Sequence, residues 1–487
     1  MTADSRGLQA LLGPASIAVV GASDSPHKVG GRPLQYLAQQ GFRGRVYPVN
    51  PRAERIQGLQ AYPSLDALPE VPDAVILCVG SDAVEAQLNL CASLGVRAVV
   101  LFASGYAEVG AQGLAEQQKL VDICRRGGIR LLGPNSIGVA SFDTGAVLSF
   151  ASIYADCAPL DGPVAIVSQS GAFGVSVYAL LREAGIGVRC VAATGNEADL
   201  DTADFVAALA QSPGVRLILL YLENVGDAER MRAALLTARQ HGVCVVAVRA
   251  GRSADGCRSA GLHTGSAGAA NDALDALFAD SGCRTVADMG EMLRCVPGYL
   301  RADVAHRPAA SLPSLASSPR LAIVSNSGAS CVIAADEASR AGITLAQLSP
   351  ASQARLSELL PDFSLNRNPI DLTAMLLARP ALLGEVMQCA MADPAVDCVV
   401  LGLLAIGGPS YDVDHFSRDC RAATQASGKP LWVYSPHPRV RLAFSEQGLP
   451  VFAGEAEALR EIAGHAEHLG ALALPAISNP EEDTLHA

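Results

Sequence analysis

Short apolar runs rich in β-branched residues recur along the chain, each followed by a longer stretch whose apolar positions have helical spacing. SIAVVGAS, RVYPVNP, DAVILCVG, AVVLFASG and IRLLGPN read as strands, with PLQYLAQQ and DAVEAQLNLCASLG as helices between them. Strands that are apolar on both faces and separated by helices belong in a parallel sheet covered on both sides. Residues 1–142 therefore read as a doubly wound, Rossmann-like α/β domain. The pattern restarts at PVAIVSQSG and runs through VRCVAATG, RLILLYLENV and CVVAVRAG, which predicts a second α/β domain over 143–303. VAHRPAASLPSLASSPR then breaks the periodicity with Pro, Ala and Ser, so 304–319 reads as a linker. RLAIVSNSGAS, ITLAQLS, CVVLGLLAIGG and LWVYSP predict a third strand-helix series over 320–470, and 471–487 reads as a loose tail.

Half of the 487 residues are hydrophobic and 17% are charged, which suits large buried cores and excludes a disordered chain. The net charge of -12 argues against nucleic acid or an anionic membrane as the main partner, because both reward clustered Lys and Arg. The 13 cysteines form no CxxC pair, and several, such as Cys78 and Cys244, sit in apolar runs as small hydrophobes. That usage fits a reducing cytoplasm. MTADSRGLQ lacks the charged-then-apolar layout of a leader, and no apolar run approaches the ~18 residues of a membrane helix. The expectation is a cytoplasmic protein without a membrane partner.

In such sheets ligands collect beyond the carboxyl ends of the strands. After the first strand stands GASDSPHKVGG, without GxGxxG spacing, and after the second stands Asn50 with Pro51, where an NAD site usually carries Asp or Glu. A neutral Asn suits a nucleotide that bears a ribose phosphate, such as coenzyme A, although the same residues also read as an ordinary strand-to-helix turn. SQSGAF follows an apolar strand and opens a helical run, so its backbone N–H groups suit a phosphate, with Ser168 and Ser170 as added hydroxyls. Ser170 reads equally as a helix N-cap. SNSGAS at 325–330 repeats the arrangement, which makes an internal duplication plausible.

The stretch GLHTGSAG places His263 among glycines and the hydroxyls of Thr264 and Ser266. An imidazole that receives a phosphoryl group needs little bulk around it, donors for the phosphate oxygens, and a partner for its other nitrogen. Glu223, at the end of RLILLYLE, is the carboxylate that the topology favours for that partner. A structural loop histidine is the alternative reading. No segment has the spacing of a metal-ligand set.

Taken together, GAS at 21–23, YPVNP, SGYAE, GPNSIG, SQSGA, GNEADLD, YLENV, GRSADG with HTGS, and NPIDLT resemble the NDP-forming acyl-CoA synthetases, the superfamily of succinyl-CoA synthetase. The resemblance runs from about residue 10 to 465. It implies a Rossmann-like CoA-binding domain followed by two flavodoxin-like ligase domains. It also implies a reversible reaction of a carboxylic acid, CoA and ATP to acyl-CoA, ADP and phosphate, through an acyl phosphate and phospho-His263. By the same resemblance Glu223 would hold the histidine. Ser168, Ser170, Gly171, Asn135, Thr264 and Gly265 would serve the phosphate, and Gly21, Ala22, Ser23, Lys28, Asn50 and Pro51 would bind CoA.

Three features depart from the family pattern. LHTGS replaces SHTGS, Arg249 stands where Lys is frequent, and no ATP-grasp module is present. The chain thus resembles an α subunit of an oligomer, with ATP and Mg²⁺ expected on a separate ATP-grasp β subunit. The rival reading is a non-catalytic CoA-binding or regulatory protein that keeps the fold.

Overall fold

The computed structural model describes residues 3–252, 271–300, 319–361 and 367–473. They form two compact units, 1–293 and 294–487.

The first unit carries two sheets. In the first, the strands Arg45–Val49, Ser16–Val20, Ala74–Leu77, Ala98–Leu101 and Arg130–Leu132 lie side by side in that order, all parallel. After Ser16–Val20 the chain goes first to one flank and then to the other. That reversal opens a crevice between Ser16–Val20 and Ala74–Leu77, where doubly wound folds bind ligands. The central strands are buried throughout, because helices such as Arg32–Gln39 and Ser81–Leu94 cover their apolar side chains.

The second sheet has seven strands, ordered Cys283–Val286, Cys244–Arg249, Leu217–Leu222, Val164–Ser168, Val188–Ala193, Gly138–Ser141 and Ala146–Ser149. The first five are parallel, and the last two form an antiparallel hairpin added at the edge. Gly138–Ser141 falls within the stretch that the sequence pattern assigns to the first domain, yet it hydrogen-bonds to Val188–Ala193. Its GVAS is too short and too weakly patterned to announce a change of sheet. One apolar core runs through both sheets, from Leu11 and Ile17 through Val139 and Val167 to Phe205 and Phe278. Arg130 adds a polar link, reaching Asp199 at 2.9 Å and Asp204 at 3.3 Å.

The second unit holds a six-stranded parallel sheet around Arg320–Ser325 and Cys398–Gly402. Two short strands, Thr344–Leu345 and Ile370–Asp371, share one flank of Arg320–Ser325. The helix Glu455–Ala473 extends three residues into the stretch read as a loose tail. Of the linker read at 304–319, all but Pro319 lies outside the described residues.

Candidate functional site

The residues singled out for CoA gather at the crevice of the first sheet. Gly21 and Ala22 continue Ser16–Val20 and donate their amides to the Val49 carbonyl at 3.1 and 3.2 Å. Gly21 has φ +79°, and a Cβ there would lie 2.4 Å from the Cys78 carbonyl oxygen, so both conformation and space demand glycine. The Asn50 side chain donates to the Ala22 carbonyl at 2.8 Å and accepts from the Arg52 amide at 2.9 Å. It therefore fastens the two loops at the crevice together. Pro51 follows it, exposed. The Ser23 amide bonds to Gly30, and the Lys28 carbonyl accepts from Gly31 and Arg32 at the start of the helix Arg32–Gln39. The Lys28 side chain is exposed beside that helix N-terminus.

At the carboxyl end of the second sheet, SQSG turns from Val164–Ser168 into the helix Gly171–Glu183. Ser170 caps this helix by accepting from the Phe173 amide at 3.3 Å. Ser168 is fully buried and donates its hydroxyl to the Ser170 carbonyl at 2.6 Å. In this structure the Ser168 hydroxyl therefore shapes the turn, bonding to both the carbonyl and the amide of Ser170. What the turn presents outward is the first-turn backbone N–H groups of Gly171 and Ala172, which no helical carbonyl can reach.

Gln169 ties this turn to Glu223. Its carbonyl oxygen accepts from the amides of Glu223 at 2.6 Å and Asn224 at 3.1 Å, and its amide nitrogen donates to the Asn224 carbonyl at 2.9 Å. The Glu223 carboxylate also accepts from the Tyr221 hydroxyl at 3.1 Å. Burial and the neighbouring Glu223 charge keep that phenol above the usual range, so it stays a donor. Sequence reasoning quoted Gln169 inside SQSGA but gave it no role. The available signal was a long amide between two serines, directly after an apolar strand.

Asn135 closes the site from the first sheet. It follows Arg130–Leu132, at φ 56°, and donates to Asn196 at 3.2 Å. Asn196 in turn donates to Glu108 and, at 3.1 Å, to Gln117. Burial works to raise the Glu108 carboxyl, but hydrogen bonds from Asn196 and the Gly105 amide outweigh it and hold the group below the usual range. Gly195 has no space for a side chain, since a Cβ would lie 2.5 Å from the Pro134 oxygen. Ser168, Ser170, Gly171 and Glu223 therefore belong to one end of the second sheet, which Asn135 borders from the first through Asn196. His263, Thr264 and Gly265 lie outside the described residues. On the near side of that segment, Arg249 ends its strand, pairs with Asp275 and sits 5.5 Å over the Phe278 ring. Among the described residues no cluster of His, Cys, Asp or Glu is placed to hold a metal ion.

The second unit repeats the turn. The Ser327 amide donates to Ser325 Oγ at 3.2 Å, Ser327 caps the next helix through the Ser330 amide, and Asn326 exchanges hydrogen bonds with Leu404 at 2.8 Å each. Three of its features have counterparts in the first unit: the Ser170 amide on Ser168 Oγ at 3.2 Å, the Ser170 cap on Phe173, and the two-way exchange of Gln169 with the Asn224 main chain.

Comparison with known proteins agrees with this layout. Residues 15–141 match the CoA binding domain family, and residues 161–298 match the succinyl-CoA ligase like flavodoxin domain. The chain is 33% identical over 391 residues to the α subunit of the ADP-forming acetate–CoA ligase II of Pyrococcus furiosus, covering 80% of each chain. It is 29% identical to the ADP-forming 4-hydroxybutyrate–CoA ligase of Nitrosopumilus maritimus, over 74% of this chain and 50% of that one. Its fold is similar to that of a dinucleotide-forming acetyl-coenzyme A synthetase 1 from Ca. Korarchaeum cryptofilum, solved with phosphate and ADP. That likeness has a TM-score of 0.84 at 26% identity and covers 96% of this chain and 98% of that one. No helix among the described residues is long and apolar enough to cross a membrane.

Proposed function

The chain belongs to the ADP-forming acyl-CoA synthetases, as an α-subunit-like, CoA-binding acid-thiol ligase, and from this premise we propose that it carries the phosphoryl group on His263. The observation that supports the reading is the meeting of the SQSG helix N-terminus with Glu223 through Gln169, at one sheet end that Asn135 also borders.

Each group then has a task. The Gly171 and Ala172 amides hold the phosphate oxygens, and the Glu223 carboxylate orients the imidazole through its second nitrogen. Phospho-His263 passes its phosphoryl group to the acid, whose carboxylate oxygen forms the new P–O bond as the P–N bond breaks. The CoA thiolate attacks the acyl carbon of this mixed anhydride, and phosphate leaves. The crevice around Gly21, Asn50 and Lys28 holds CoA, with neutral Asn50 tolerating a ribose phosphate. ATP and Mg²⁺ are supplied by a separate ATP-grasp β subunit, and the substrate is a small carboxylic acid. The assembly works in the cytoplasm as an oligomer.

The test is label transfer. Radiolabelled acetyl phosphate, given to the purified chain, should leave an acid-labile, base-stable label that is absent in His263→Ala. ATP should label the chain only after a β subunit is added. Label persisting in His263→Ala overturns the carrier assignment, and ATP-dependent thioester formation by the chain alone overturns the subunit reading.

A further inference from the structure

Behind the SQSG turn stands Glu197, whose contacts converge on Gln169. Glu197 Oε2 accepts from Gln169 Nε2 at 2.7 Å, while Oε1 accepts from the Thr194 hydroxyl at 2.9 Å and the Thr202 amide at 2.8 Å. Gln169 is 7% exposed, and the bonds it makes to Glu197, Glu223 and Asn224 occupy both its donors and both its acceptor positions. It has no alternative orientation. The duplicated turn in the second unit shows what is particular here. Asn326 makes the equivalent exchange with Leu404, but among the described residues no carboxylate accepts from it. Gln169 is one methylene longer, and its extra partner is Glu197.

We propose, resting on the phosphoryl-transfer reading above, that Glu197 is a positioning residue: through Gln169 it fixes the backbone of Glu223 and Asn224, and with it the aim of the Glu223 carboxylate. The ionised form is the one that serves, because a carboxylate oxygen holds the Gln169 N–H about twice as strongly as a neutral carboxyl would. Two costs are maintained at this position. Glu197 is held at φ 53°, in the left-handed region, and burial pushes its carboxyl up to about 7, opposed by the Gln169 hydrogen bond and reinforced by Asp201. The charged groups facing it are Asp201, itself paired with Arg230, and Glu223 across Gln169.

The experiment follows the rate at which acetyl phosphate labels His263 in the full chain, comparing wild type, Glu197→Gln, Gln169→Leu and the double variant. Each single variant should lose about tenfold in rate, the worth of one well-placed hydrogen bond. The double variant should be no slower than the slower single, because both residues act through one chain of contacts. Below about pH 7 the wild-type rate should show a fall, as Glu197 takes its proton, that Glu197→Gln lacks. Circular dichroism and calorimetric CoA binding establish that each variant is folded, and if Glu197→Gln is not, Gln169→Leu carries the test. A folded variant with the wild-type rate and pH profile overturns the proposal, as does a double variant whose loss is the product of the singles. Both outcomes leave His263 labelling in place, so the functional reading survives them. A wild type that takes no label overturns both.

Discussion

Tyr221 donates its hydroxyl to Glu223 at 3.1 Å while its ring stacks on Phe173, 4.1 Å between centroids, at the start of the helix that SQSG opens. One side chain thus links the carboxylate to the phosphate-side turn by a polar and an apolar contact at once. Tyr221→Phe keeps the ring contact and removes only the donor. Phosphate transfer to His263 should fall about tenfold, with the melting temperature little changed. Unchanged label kinetics would show that Glu223 needs no help from Tyr221.

Asn50→Asp tests the CoA crevice by charge. The new carboxylate loses the hydrogen bond to Ala22, and that loss weakens every ligand alike. Repulsion of a ribose phosphate adds to it for CoA but not for dephospho-CoA. Calorimetry should therefore show a penalty about tenfold larger for CoA than for dephospho-CoA. Equal penalties would place the ribose phosphate elsewhere.

Arg130 is a charged tie between the two sheets of the first unit, with its side chain 13% exposed. Arg130→Ala leaves Asp199 and Asp204 without that counter-charge in a half-buried setting, although Asp204 keeps Arg230 at 2.7 Å. The expected cost is about 3 kcal/mol. Denaturant unfolding measures it, and a change within 0.5 kcal/mol would show that the link is replaceable.

Glu197 makes stability depend on pH in a stated direction. Its folded-state pKa is raised from 4.5 to about 7, so the folded chain binds this proton more tightly than the unfolded chain. The stability it contributes is complete below pH 4.5 and is lost as pH rises through about 7. Across that window the wild type should lose on the order of 3 kcal/mol that Glu197→Gln does not lose. Parallel stability curves would contradict the shift. The residue thus weakens the fold in the same pH range where its carboxylate serves Gln169.

The parallel strands were legible because burial on both faces writes them as unbroken apolar runs. AVIL at 74–77 and AVVL at 98–101 are such runs, set apart as strands by the helical stretches between them. The hairpin Gly138–Ser141 with Ala146–Ser149 was not legible, since eight small or apolar residues around a turn carry no sign of the sheet they join. At the site, glycines and serines pointed to the turn by their size, and Asn135 was found through its motif. The directions of hydrogen bonds were hidden. Nothing local distinguishes a Ser168 that faces outward from one that bonds to Ser170, and Gln169 meets Glu197 across 28 residues of sequence. Such pairings exist only once the strand order brings the loops together.

The hairpin also governs how the molecule can be cut. A fragment beginning near residue 150 would include the family-matched segment 161–298 and yet lack both strands of the hairpin that closes one edge of its sheet. The strand Val188–Ala193 would then present unpaired main chain along VRCVAA, an apolar template for another molecule. Fragments of the ligase half should stay dispersed when they start ahead of Gly138 and clump when they start after Ser149. The practical boundary of this half is therefore set by sheet closure, upstream of where its sequence pattern begins.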